Sequence, residues 1–147
     1  MIRKILYSFV LLTFLAGQVA AQNWLTNFSE AKQKAQTENK NILLVFSGSD
    51  WCAPCMKLEK NIWQSDEFKI FSKDHFILLK ADFPKQKKNQ LESVQQEQNN
   101  QLAEKYNKNG FFPLVVILDK EGKQLGSAGY KNITPKEYVD LLVSLEK

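Results

Sequence analysis

The two cysteines of this 147-residue chain, Cys52 and Cys55, follow closely on a strongly apolar run and are the only thiols in the protein. That run, residues 42–46, contains no polar residue, which is typical of a strand covered on both faces of a sheet. A short turn, residues 47–51, separates the run from the thiols, and a helical pattern continues from them to about Trp63. The sequence therefore predicts a central strand, a turn, and a helix that begins at the cysteines.

Helices and strands are predicted to alternate along the rest of the chain. Apolar residues at helical spacing indicate a first helix that starts at Trp24 and ends near Asn39. The next predicted elements are a short helix capped by Ser65 and Asp66, a covered strand over 76–79 that ends at 82–84, and a long solvated helix within 85–101, for which a recognition surface is the alternative. They are followed by a strand over 114–118 with an antiparallel return over 124–130, and by a last helix capped by Thr134. This order indicates an α/β fold in which helices flank a central mixed sheet of about four strands.

The first 21 residues have the features of a signal peptide. Arg3 and Lys4 give a basic start, residues 5–16 are almost wholly apolar, and small residues precede Gln22. The apolar core is short for a membrane span, which needs about 20 residues. An uncleaved anchor and a buried helix are the alternatives. We expect residues 1–21 to be removed and residues 22–147 to form one domain without stable membrane insertion. The mature protein is then expected to be periplasmic or secreted, in a compartment where disulfides persist.

Composition argues against several other classes of function. The formal net charge is +4, and removing residues 1–21 takes away Arg3 and Lys4 but no acid, so +4 − 2 leaves +2. This weak charge gives little support for nucleic-acid binding. Tetrahedral zinc needs about four ligands, whereas the chain offers two cysteines and one histidine, so no metal or other cofactor is expected. A purely structural disulfide between neighbouring cysteines would close too small a loop to stabilise the fold much.

The spacing of the cysteines favours redox exchange. A helix N-terminus favours negative charge, so Cys52 is expected to ionise more readily than a free thiol. Cys55 lies one helical turn further on, where it is more sheltered. In the predicted cycle Cys52 attacks a partner disulfide, and Cys55 then resolves the mixed disulfide.

The motif also resembles a known family. The residues from Phe46 to Cys55, with their Trp-Cys-Ala-Pro-Cys core, resemble the thioredoxin superfamily, and in particular its exported bacterial thioredoxin-like branch. The resemblance extends over nearly all of residues 24–147. It implies a thioredoxin fold and a thiol–disulfide oxidoreductase of the cell envelope. It further implies that Pro113 is a cis-proline facing the cysteines and that the backbone of Phe112 pairs with an extended segment of the partner.

The chain departs from this family at the proton acceptor. Thioredoxins commonly carry a buried aspartate six residues before the first cysteine, and here that position is Phe46. Glu59 is a candidate substitute because it lies four residues after Cys55 on the same helical face. Its alternative role is that of an ordinary exposed glutamate. Asp50 is a second candidate, with capping of the loop as its alternative role.

Two aromatic residues are predicted to contact partners. Trp51 directly precedes the reactive Cys52, so we expect it to form a partly exposed platform beside the thiol. Phe112 is bulkier than the residue that usually precedes the cis-proline in thioredoxins, so it is expected to narrow the groove and restrict the partners that fit.

The residues between the cysteines bear on the direction of electron flow. Ala53 and Pro54 supply no cation that would strongly stabilise the Cys52 thiolate, as strongly oxidising members require. We therefore expect a monomeric disulfide reductase or relay that acts on disulfide- or thiol-containing exported proteins and is recycled by an unidentified redox partner. The alternatives are an oxidase or isomerase, and a binding or chaperone module that holds thiol proteins without turnover.

Overall fold

The computed structural model describes residues 21–147, so the predicted signal peptide lies, except for Ala21, outside the described residues. Its strands are β1 (Trp24–Leu25), β2 (Asn41–Ser47), β3 (Phe76–Asp82), β4 (Leu114–Leu118) and β5 (Gln124–Ala128). Its helices are α1 (Phe28–Glu38), α2 (Ala53–Leu58), α3 (Asp66–His75), α4 (Ser93–Tyr106) and α5 (Pro135–Ser144). A π-helical turn, Glu59–Trp63, continues α2, and a short 3-10 turn covers Lys87–Asn89. None of the helices described here is both long enough and apolar enough to cross a membrane.

The strands form one mixed sheet in the order β1-β3-β2-β4-β5. The pairs β1–β3 and β2–β3 are parallel, whereas β2–β4 and β4–β5 are antiparallel. This arrangement confirms the predicted α/β class with a central mixed sheet, although the sheet has five strands rather than four. The additional strand, β1, is only two residues long.

The central strand is buried on both faces. Its residues Ile42, Leu44 and Phe46 belong to one apolar cluster, and Leu43 and Val45 belong to a second cluster. All five are at most 1% exposed. The uninterrupted apolar run of the sequence therefore corresponds to a strand with helices packed against each side of the sheet, as predicted.

The structure corrects two predicted helix boundaries. Trp24 does not begin α1, because it pairs with Leu78 as part of β1, and α1 starts at Phe28 after Asn27 accepts a hydrogen bond from the backbone N–H of Glu30. The predicted helix within residues 85–101 is also misplaced, since α4 begins only at Ser93. The residues before it form a loop whose backbone N–H groups are bound by another part of the chain, as described below.

Helix caps at two other places follow the predictions. The side chain of Ser65 accepts a hydrogen bond from the backbone N–H of Phe68 and begins α3. Thr134 and Glu137 form a reciprocal capping box at α5, with Pro135 in its first turn. These two helices pack on the sheet face that also carries the π-helical turn after α2.

Trp63 is the largest buried side chain on that face, and we predict that its loss strongly destabilises the protein. It is 1% exposed, and its ring lies 4.5–5.7 Å from those of Trp24, Phe68 and Tyr138. Trp63→Ala should lower the free energy of unfolding by about 3–5 kcal/mol in urea titrations, because it leaves a cavity. Ile70→Ala is the control, since Ile70 is 70% exposed. Equal effects of the two substitutions would contradict this packing.

Candidate active site

Cys52 and Cys55 lie at the junction between the central strand and α2. Cys52 is the N-cap residue of α2, and the two cysteines form a disulfide with their Cα atoms 5.2 Å apart. The backbone N–H of Cys55 donates to Cys52 Sγ at 3.2 Å, and the N–H of Gly48 donates to Cys55 Sγ at 3.5 Å. Both residues are 4% exposed. Each sulfur therefore has a backbone donor that can stabilise negative charge on it.

The turn before the cysteines is tied to the end of β3. The backbone N–H of Phe83 donates to Ser47 O at 2.8 Å. The carboxylate of Asp82 accepts hydrogen bonds from the backbone N–H and the hydroxyl of Ser49, at 2.9 and 2.5 Å. These bonds hold the turn in place from the neighbouring parallel strand, whose carboxyl end lies at the same edge of the sheet.

Trp51 packs over this turn with 38% of its surface exposed. Its indole Nε1–H donates to Phe83 O at 2.7 Å. A Cβ atom on Gly48 would lie 2.3 Å from Trp51 Cε2, so only glycine leaves room for the indole at this position. The Trp51 ring is therefore fixed beside Cys52 by a hydrogen bond on one side and by the glycine backbone on the other.

The segment before β4 approaches the same edge of the sheet. The peptide bond between Phe112 and Pro113 is cis, and the following residue, Leu114, pairs with Phe46 near the end of the central strand. The ring of Phe112 lies 5.4 Å from the rings of both Trp51 and Phe83. Trp51 and Phe112 thus form one aromatic group beside the cysteines, while Pro113 is buried.

Glu59 lies in the π-helical turn after α2 and shares a cleft with Cys55. The cleft has a volume of about 470 Å³, and Ser47, Met56 and Lys80 also line it. One carboxylate oxygen of Glu59 lies 2.9 Å from Lys80 Nζ, and the other accepts a hydrogen bond from Gln64 at 2.8 Å. The glutamate is partly exposed, and it forms an ion pair with another residue that lines the cleft.

Phe46 occupies the position of the usual buried acid and is fully buried in the apolar core. Sequence reasoning did not single out Lys80, which lines the cleft and pairs with Glu59. The available signal was a lone lysine within the otherwise apolar strand 76–81. An unpaired buried charge is costly, so a lysine at such a position indicates an acidic partner nearby.

Asp50 caps the loop that precedes α4. Its carboxylate accepts hydrogen bonds from the backbone N–H groups of Lys85 and Gln86, at 2.9 and 3.0 Å, and from the side chain of Asn89 at 2.9 Å. The hydrogen bond from the Lys85 N–H is the largest of the causes that hold the pKa of Asp50 below its ordinary value of 3.8. This geometry favours the loop-capping role over a role in proton transfer. It also explains why residues 85–89 do not continue α4.

The loop contact should depend on pH. Because the pKa of Asp50 is lowered in the folded protein, the contact is fully present above pH 3.8 and is lost as the pH falls through the lower folded-state pKa. We predict that the amide proton shifts of Lys85 and Gln86, measured by NMR, titrate with a midpoint below 3.8. Asp50→Asn should abolish the titration, whereas Asp74→Asn on α3 should leave it intact. A midpoint at or above 3.8 in the wild type would contradict the assignment.

Among residues 21–147, no group of three or more histidine, cysteine or acidic side chains lies close enough to hold an ion. The described site instead consists of a disulfide, an aromatic group and a cleft with one ion pair. A disulfide at the start of a helix, after the central strand of a mixed sheet and next to a cis-proline segment, defines a thioredoxin fold with a site for thiol–disulfide exchange.

Comparisons with known proteins agree with this class. The profile of a thioredoxin-like family matches residues 23–120. The disulfide bond reductase DsbH of Chlamydia pneumoniae is 39% identical over 131 residues, which cover 88% of this chain and 76% of that protein. The solved structure of a DsbH oxidoreductase superimposes with a TM-score of 0.78 at 35% identity, covering 88% of each chain. The chain belongs to the thioredoxin-like family, and it is a thiol–disulfide oxidoreductase of the bacterial branch.

A second relative is longer than this chain. The thioredoxin-related protein DsbJ of Chlamydia pneumoniae is 31% identical over 133 residues, which cover 86% of this chain but 37% of that protein. The similarity to DsbJ is therefore limited to one part of its length.

Proposed function

We propose that this protein is a disulfide reductase or relay of the cell envelope that acts on exported proteins through Cys52 and Cys55. The observation that carries this proposal is the environment of Cys52 at the start of α2. Its sulfur accepts one backbone hydrogen bond, from Cys55, and the intervening Ala53 and Pro54 provide no cationic side chain. Strong oxidants depend on a highly stabilised reduced form, which this arrangement supplies only weakly.

The reaction starts from the reduced pair. The Cys52 thiolate attacks one sulfur of the substrate disulfide, forming a mixed disulfide and releasing the other substrate sulfur as a thiolate. Cys55 then loses its proton and attacks Cys52 Sγ, which breaks the mixed disulfide and releases the second substrate thiolate. Two electrons pass to the substrate, its two thiolates take up protons, and the pair is left as the observed Cys52–Cys55 disulfide. A dithiol partner must reduce the pair again before the next cycle.

Different observations support the direction of electron transfer and the cellular location. A relative at 39% identity carries the name disulfide bond reductase, which agrees with the reducing direction proposed here. The basic and apolar pattern of residues 1–21 supports export and cleavage of a signal peptide, which would leave the mature protein in the periplasm or outside the cell. The substrates would then be exported proteins that carry disulfides. An oxidase or isomerase role and a holding role without turnover are the competing functions.

Insulin reduction separates turnover from binding. The mature protein, supplied with dithiothreitol, should accelerate precipitation of the insulin B chain, and Cys52→Ser should reduce the rate to that of dithiothreitol alone because the nucleophile is lost. Cys55→Ser, reduced and then freed of dithiothreitol before insulin is added, should instead accumulate a covalent adduct with insulin, visible by mass spectrometry, because no thiol remains to resolve the mixed disulfide. Wild-type binding to insulin without acceleration would favour the holding role and contradict the proposal.

We further propose that Glu59 receives the proton of Cys55 through the shared cleft. The two residues line the same cleft, and the Lys80 ammonium holds the Glu59 carboxylate in place. The usual acid of the central strand is replaced by the buried Phe46. The base that accepts the proton of Cys55 would therefore lie on the helical turn after α2 instead of on β2. Trp51, Phe112 and Pro113 would in turn contact the substrate segment.

Glu59→Gln tests the role of this carboxylate. It should slow resolution of a preformed mixed disulfide by about 10–100-fold at neutral pH, because the thiol of Cys55 loses its base. The rate should recover as the pH rises and the thiol ionises unaided. Glu104→Gln, an exposed residue of α4, is the matched control. A pH–rate profile of Glu59→Gln that coincides with that of the wild type would remove Glu59 from the mechanism.

A further inference from the structure

A basic loop lies against the active-site turn. The loop, residues 85–89, contains Lys85, Lys87 and Lys88, all exposed, and has no acidic residue. The ion pairs formed within residues 21–147 include none of these three lysines. None of the three ammonium groups therefore forms an ion pair with a side chain in the described part of the protein.

The loop is held at the site rather than extended into solvent. Asp50, two residues before Cys52, binds the backbone of Lys85 and Gln86 and the side chain of Asn89. The short 3-10 turn Lys87–Asn89 also gives the backbone of the loop a defined conformation. Anchoring at both ends of the loop keeps Lys87 and Lys88 on the side of the molecule that carries the cysteines.

Lys85 brings one of these charges onto the aromatic group. Its Nζ lies 3.9 Å from the centre of the Trp51 ring, a distance at which a cation is attracted to the ring face. Trp51 directly precedes Cys52, so the ammonium lies beside the position where a substrate disulfide must approach. The carboxylates of Asp50 in the turn and of Asp82 at the end of β3 accept hydrogen bonds from N–H and hydroxyl groups of the protein itself.

We infer that this basic loop selects substrates in which acidic side chains flank the reacting cysteine. The inference rests on the proposed function, because it names a substrate class for the same pair of cysteines. An acidic flank would meet the three lysines while its disulfide contacts Cys52, whereas a basic flank would be repelled. Charges at the rim of a binding site act mainly on the association rate and its salt dependence.

Three synthetic peptides with the same intramolecular disulfide and Asp, Asn or Lys flanks provide the test. The rate constant for their reduction by the reduced mature protein is measured in a single turnover, so that no recycling partner is needed. Each value is divided by the rate with dithiothreitol, because flanking charges alter the intrinsic reactivity of a disulfide. We expect the Asp peptide to react about tenfold faster than the Lys peptide, and the ratio to shrink as ionic strength rises.

Matched variants locate the origin of the preference. Replacing Lys85, Lys87 and Lys88 together by Gln should reduce the ratio of Asp to Lys rates to less than about twofold. The control replaces Lys73, Lys120 and Lys123 by Gln; Lys120 and Lys123 flank the β4–β5 turn and Lys73 precedes β3, all at the opposite end of the sheet from the cysteines. It makes the same change in net charge and should keep the wild-type ratio.

The outcomes separate this inference from the function on which it rests. Equal reduction of all three peptides by the wild type would overturn the inference and leave the reductase intact. A preference that persists in the loop variant, or disappears in the control, would also overturn it, since the charge responsible would lie elsewhere. Failure of the wild type to reduce any of the peptides would remove the proposed function together with the inference.

Discussion

Burial of the central strand on both faces is the constraint on which the rest of this structure depends. Residues 42–46 lie between β3 and β4 and are excluded from solvent by helices on each side. The chain leaves this buried region at the carboxyl end of the strand, where the last residue, Ser47, accepts a hydrogen bond from the backbone N–H of Phe83. The polar turn and both cysteines follow from that point. A rigid strand beneath the turn keeps the disulfide, Trp51 and the segment before β4 in a constant arrangement.

The same packing explains why position 46 carries no acidic residue. A carboxylate at position 46 would lie in a fully apolar cluster, where burial of an unpaired charge is unfavourable. Glu59 is instead partly exposed and paired with Lys80 at 2.9 Å, so its charge is compensated. Both residues line the same cleft as Cys55. In this protein the apolar core and the ionisable groups are thus separated, which leaves the core of β2 uniformly hydrophobic.

Sequence patterns predicted the parts of the structure that depend on neighbouring residues. The unbroken apolar run indicated β2, and the spacing of Thr134, Pro135 and Glu137 indicated the start of α5. The start of α1 was wrong, because Trp24 fits a helical pattern equally well but is captured by parallel pairing with Leu78. Pairing with a strand more than fifty residues away leaves no trace in local periodicity.

In the candidate active site, too, sequence patterns predicted the features that depend on neighbouring residues and not those that depend on distant ones. The two cysteines and the helix after them follow from local sequence, whereas the partners of Asp50 and Glu59 lie 35 and 21 residues away along the chain. Lys80 was missed for this reason, and the residues of the basic loop were assigned to a solvated helix in preference to a recognition surface. Each gains its significance only from a side chain that folding brings to it. A lysine inside an apolar strand and a run of lysines without acids were the visible signals.

The direction of exchange is the central claim, and the reduction potential of the Cys52–Cys55 pair tests it most directly. The pair can be equilibrated with glutathione buffers and its redox state read by alkylation and mass spectrometry. We predict a potential more negative than about −200 mV, closer to the value near −270 mV of a reducing thioredoxin. A potential near −120 mV, typical of a strong oxidant, would contradict the assignment as a reductase or relay.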